Sequence, residues 1–183
     1  MLTRRSFVAG TGACAALSAC GNPIGGNGAA VIDARVDRTL DYLYATYPSS
    51  RDLADRSVAM LVMPVVTEAG LGIGGSYGRG ALRVGGATVD YYSATQASIG
   101  LQIGAQQYAH TLFFMTPQAL QGFRMAPGWA AGADVEYALN ASGRNYGVDS
   151  NVMMGPVIAV VYGQAGLLAG ASVEGTKYTR IIP

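Results

Sequence analysis

The chain has 183 residues, half of them hydrophobic, with 12 basic and 11 acidic side chains and two cysteines. That length is one domain's worth with a core of its own, and the near-zero net charge steers the protein towards neither nucleic acid nor membrane, so any anion site must be local. Both cysteines, Cys14 and Cys20, stand near the N-terminus, which excludes a disulfide framework or a cysteine metal site in the body of the chain.

Thr3-Arg4-Arg5-Ser6-Phe7-Val8 reads as a twin-arginine n-region, and the apolar, small-residue run from Phe7 to Ala19 is too short to span a bilayer. Residues 1–19 are therefore expected to be an export signal. Leu17-Ser18-Ala19-Cys20 resembles the lipobox of bacterial lipoproteins, where the leader is cut before the cysteine and its thiol is acylated. The alternative is an ordinary secretory leader with an incidental cysteine. On the lipobox reading Cys20 is the lipid anchor and the first residue of the processed chain, and residues 20–29, rich in Gly and Asn, are a flexible tether. Gly21, not aspartate, follows Cys20; this implies the outer membrane, and places the protein in the cell envelope.

The domain is expected over 30–183. Ile32, Val36, Leu40, Leu43 and Tyr47 recur at three- and four-residue steps among charged residues, which predicts an amphipathic helix from Ala30 to Tyr47 ended by Pro48. Its stripe either covers a sheet or lies on a membrane, and its mixed charge favours the sheet, since interfacial helices are usually rich in Lys and Arg. Ser50 is expected to cap a short helix through Arg56, and Val58 to Met63 is a buried apolar run stopped by Pro64.

A hexapeptide then occurs four times: Gly70-Leu71-Gly72-Ile73-Gly74-Gly75, Gly100-Leu101-Gln102-Ile103-Gly104-Ala105, Gly128-Trp129-Ala130-Ala131-Gly132-Ala133, and the start of Gly166-Leu167-Leu168-Ala169-Gly170-Ala171-Ser172-Val173-Glu174-Gly175. In a strand the two outer glycines of each copy share one bare face. Interior glycine weakens a strand by roughly 0.5–1 kcal/mol relative to Ala, so its recurrence points to strong bending or close backbone approach. Helices packed through small residues are the rival reading, which the glycine density disfavours.

The first copy opens a strand to Val84, and Gly85-Gly86 is a hairpin turn into a strand from Thr88 to Ser93. Strands follow at Ile99 to Tyr108 and Thr111 to Met115, and Thr116-Pro117 starts a short helix to Phe123. The third copy is expected to be a strand from Trp129 to about Ala138; Asn140 to Ser150 is a polar loop and Val157 to Tyr162 a strand. Gly163 to Gly166 turns into the fourth copy, and Lys177 to Ile181 closes the chain as a last strand or an extension. The fold class is α+β: a curved, antiparallel, barrel-like sheet of about seven or eight strands with N-terminal amphipathic helices.

Acid–base or nucleophilic catalysis needs positioned titrating groups, and the chain has one histidine, His110, between two expected strands, where a structural role is favoured over a catalytic one. Asp134 and Glu136 share a strand face, but one pair falls short of a Ca²⁺ site and reads as a solvated face. Gly70 to Gly80 is glycine-rich like a phosphate loop without the Lys-Ser/Thr pair or the helix that would follow. The expectation is a non-enzymatic protein with no cofactor and no metal.

The blocks Glu68 to Gly80, Ser98 to Gln106 and Gly166 to Gly175 resemble, in order, successive blocks of the SYLF domain. The resemblance extends over roughly Ala30 to Ile182. It implies a lipid-binding module: eukaryotic members bind phosphoinositides and are tied to cortical actin, and bacterial members are exported or lipid-anchored. By position, Arg79 stands where the first block commonly carries Lys or Arg, beside Tyr77, while Ala165 stands where many members have a basic residue. Arg79 and Arg83 lie at even spacing on one strand, and Lys177 and Arg180 lie on the final strand, which can return beside the first in a closed sheet. The expected lipid-binding set is therefore Tyr77, Arg79, Arg83, Lys177 and Arg180, with membrane phospholipid as partner. The other reading is a structural or interaction protein of the outer membrane with an envelope protein partner and no specific lipid ligand.

Overall fold

A computed structural model describes residues 26–132, 135–139, 155–166 and 173–183. The expected leader, Cys20, Asp134, the polar loop and most of the fourth glycine copy lie outside the described residues. Three helices, α1 (Gly28–Thr46), α2 (Ser50–Arg56) and α3 (Pro117–Met125), accompany six strands among the described residues: β1 (Ala59–Val84), β2 (Ala87–Phe114), β3 (Trp129–Ala130), β4 (Val135–Leu139), β5 (Val157–Gly166) and β6 (Lys177–Ile181).

The separate strands expected between Val58 and Met115 fuse into two long ones. β1 and β2 form one antiparallel ribbon of 26 and 28 residues, turned at Gly85 and Gly86, whose φ values of 56° and 84° are the left-handed pair a tight hairpin requires. Pro64 does not stop β1. It sits in a bulge, where Met63 faces His110 but Val66 faces Tyr108, so the missing amide costs no ladder bond. The first and second glycine copies face one another across the ribbon, Gly70 opposite Gly104. Between Leu71 and Ile73 the partner residue jumps from Ile103 to Ile99. Here β1 bends so sharply that a methyl group on Gly70 would lie 2.8 Å from the Cα of Gly74. The glycines thus serve curvature, as their spacing suggests.

Along its other side β2 pairs with β6 over Tyr91–Thr95 and with β5 over Gln106–Phe114. The ribbon therefore feeds two half-sheets, β3-β6 at one end and β5-β4 at the other, and the glycine bend folds one over the other into a curled half-barrel. The halves meet at bare backbone: a methyl group on Gly78 would lie 2.8 Å from the carbonyl oxygen of Val65. Between them lie Leu61, Met63, Leu82, Tyr92, Leu112, Phe114 and Tyr178, closed at one end by Phe123 of α3. The outer face of the β5 half carries Phe113, Ile158, Val160 and Tyr162 under Leu43 of α1 and Leu53 of α2. Ile32 and Val36 of α1 cover Val62 and Ala81 of β1. The helix stripe thus covers a sheet.

Four local expectations are corrected. The third glycine copy is not one strand: β3 pairs with β6, whereas β4 joins the opposite half-sheet, because the chain crosses between the halves around Ala131 and Gly132. The β4–β5 pair is parallel, an exception in an otherwise antiparallel sheet. Gly163 is not the start of a turn but lies within β5 at φ 64°, in a register shift where Gln107 faces Ala165 and Ala109 faces Tyr162. Ser50 is the first residue of α2 instead of its cap, and its hydroxyl donates to the Tyr47 carbonyl at 2.6 Å. Thr116 does cap α3, accepting from the Ala119 amide at 3.2 Å.

Candidate anion-binding cleft

Alternate residues of β1 after the bend point outward, and α1 decides which of them meet solvent. Ala81 lies beneath the helix, while Tyr77 and Arg79 emerge beyond its first turn. There the start of α1, the Pro64 bulge and β1 enclose a cleft of about 470 Å³, lined among others by Asn27, Arg35, Thr67, Tyr77, Gly78 and Arg79. Arg35 and Arg79 are exposed, and neither is in an ion pair among the described residues. The first turn of α1 holds no acidic residue, so its free amides and the positive end of the helix dipole add to the local field. Such an arrangement can hold an anionic group in two guanidinium forks beside an aromatic ring.

Of the expected set, Tyr77 and Arg79 come together here; the others do not. Arg83 is on the same face but under α1, only 13% exposed. Its Nη2 donates to Asp37 Oδ1 at 2.7 Å, Asp33 lies 3.7 Å away, and Nη1 donates to the Gly86 carbonyl. Its charge is spent within the fold. Asp33 also accepts from the hydroxyls of Thr88 and Tyr91, each at 2.8 Å, and burial together with that carboxylate pushes the Tyr91 phenol up to about 12.

Lys177 faces Thr95, which faces Tyr77, so the three form one row on the outer surface with Lys177 about 10 Å, two strand spacings, from the Tyr77 backbone. Thus the last strand returns beside β2, not beside β1. The Lys177 stem lies over Gly128. Arg180 is on the other face, where it and Arg124 hold the buried carboxylate of Asp90 at 2.5 and 2.9 Å. Arg35 is absent from the expected set, since on α1 it reads as one more charge on a solvated face.

His110 lies within β2, wholly buried, its Nε2 2.8 Å from the Tyr178 hydroxyl on the opposite half-sheet. Burial drives its pKa down to about 3, so the ring is neutral. It joins the two halves of the core.

The fold and cleft define a curled-sheet domain with helices over its outer face and a small basic cleft where the helix begins. Residues 95–180 match the model of the Ysc84 family, described as "Las17-binding protein actin regulator", and over this stretch, just under half of its length, the chain is similar to that family. The match takes in the second and fourth glycine blocks and stops short of the first, Glu68 to Gly80, which the resemblance had included. A comparison with curated proteins gives no match.

Proposed function

We propose that the chain is a non-enzymatic lipoprotein of the cell envelope, anchored to the outer membrane through acylated Cys20, whose domain binds anionic phospholipid head groups in the Arg35–Arg79 cleft. One observation carries this reading: Arg35 and Arg79, which have no acidic ion-pair partner among the described residues, line one cleft together with Gly26, at the domain end of the expected tether. From Cys20 to Gly26 is at most about 20 Å of extended chain, so an anchor at Cys20 keeps the cleft against the bilayer. Near an anionic surface each basic residue is worth on the order of 1 kcal/mol, too little for tight binding in solution but useful once an anchor supplies a high local concentration. The family's description as a protein-binding regulator supports the second reading, a structural or interaction lipoprotein that binds an envelope protein and no specific lipid.

The test uses the processed chain, residues 20–183, with Cys20→Ser so that no acyl group drives attachment. It should co-sediment with phosphatidylglycerol-containing vesicles at low salt, release as salt rises, and ignore phosphatidylcholine vesicles. Arg35→Glu/Arg79→Glu should abolish binding with an unchanged melting temperature. If the unsubstituted sequence ignores anionic vesicles at low salt, the lipid reading fails and the protein-interaction reading replaces it.

A further inference from the structure

Beyond the cleft, β1 carries two large aliphatic side chains into solvent: Leu71 is 79% exposed and Ile73 76%. They stand on the glycine bend, where the ribbon has no third strand among the described residues. Val31 at 46%, Val65 at 40% and Tyr77 at 54% line the cleft, and Leu71 and Ile73 extend that surface outward along the same strand.

From Ile73 through Tyr77 to Arg79 the order is aliphatic, aromatic, cationic at even spacing. That is the sequence of layers met on passing outward from acyl chains through the interface to the phosphates. Ile73 to Arg79 is about 20 Å along an extended strand, so a strand lying obliquely to the surface brings the aliphatic pair some 5–10 Å into the acyl boundary while Arg79 stays at phosphate level. A second copy of the chain fits less well. Two side chains offer a few hundred Å², well below the ~800 Å² per partner of a stable interface, and the tether from residue 20 enters the domain at Gly26, on the cleft.

We propose that Leu71 and Ile73 form a bilayer-inserting tip that enters the acyl boundary of an anionic membrane while the Arg35–Arg79 cleft holds a head group. This rests on the lipid reading above and adds a site to it. On β1 the two aliphatic chains are flanked by Gly70, Gly72, Gly74 and Gly75, so this strand carries no polar side chain into lipid with them.

Residues 20–183 with Cys20→Ser contain no cysteine, so Ile73→Cys gives a single labelling site for an environment-sensitive fluorophore. On phosphatidylglycerol vesicles the label should shift to the blue and be quenched by nitroxides on the acyl chain. Unlabelled Leu71→Ser/Ile73→Ser should bind about ten-fold more weakly, with its melting temperature and the salt sensitivity of its remaining binding retained. If the chain binds vesicles but the label stays in water, and the double serine variant binds normally, insertion is overturned and head-group binding stands. If no variant or parent binds vesicles, both fall together. If the label shifts with protein concentration in the absence of lipid, a second copy covers the tip and the proposal is overturned.

Discussion

A methyl group on Gly80 would lie 2.9 Å from the carbonyl carbon of Val62, and one on Gly78 2.8 Å from the carbonyl oxygen of Val65. Backbone cannot move aside as a side chain can, so Gly78→Ala and Gly80→Ala should each cost about 1–3 kcal/mol. Gly122 on α3 has open space around it, and Gly122→Ala should instead stabilise the helix by up to about 1 kcal/mol; thermal melts of the three variants check the contrast. Close packing between the halves falls on Gly78 and Gly80, just after the first hexapeptide copy. At His110 the residue scale also sets a pH dependence. The unfolded imidazole, with an ordinary pKa near 6.5, takes up a proton that the buried ring refuses down to about 3. Stability should thus fall by roughly 1.4 kcal/mol per unit as pH drops below about 6.5, and melts between pH 7 and 4.5 should show a flatter slope in His110→Gln.

At the scale of elements, α1 governs the fate of β1's outer face. Where it lies over the strand, Asp33 and Asp37 take up Arg83; where it ends, Arg79 is left to solvent. Arg83→Glu should therefore lower stability by about 1–2 kcal/mol, since it loses charged hydrogen bonds and brings three carboxylates together, with the gain reduced by partial exposure. Arg79→Glu should leave the melting temperature unchanged, and calorimetry on the pair separates them. The sequence places these arginines on one face correctly. It does not say which acids on α1, Asp37 at 46 residues' separation and Asp33 at 50, reach Arg83, because helical periodicity marks both only as polar.

At the scale of the whole molecule, the vesicle experiments test whether a domain of near-zero net charge can orient on a membrane through local charge, a nearby tether and an apolar tip. The long ribbon makes this arrangement possible: one antiparallel pair supplies both half-sheets, the bend between them and the strand that carries Ile73, Tyr77 and Arg79.

By itself the amino-acid order determined the local geometry: the α1 stripe, the Gly85-Gly86 turn, the Thr116 cap and the glycine-driven curvature. Each follows from periodicity or backbone freedom within a few residues. Tertiary structure decided that Pro64 lies in a bulge, that the third glycine copy divides between opposite half-sheets, and that Arg35 joins Arg79 while Arg83 and Arg180 are neutralised. Those outcomes depend on which partner strand or helix arrives across the sheet, and spacing along a single chain carries no record of that.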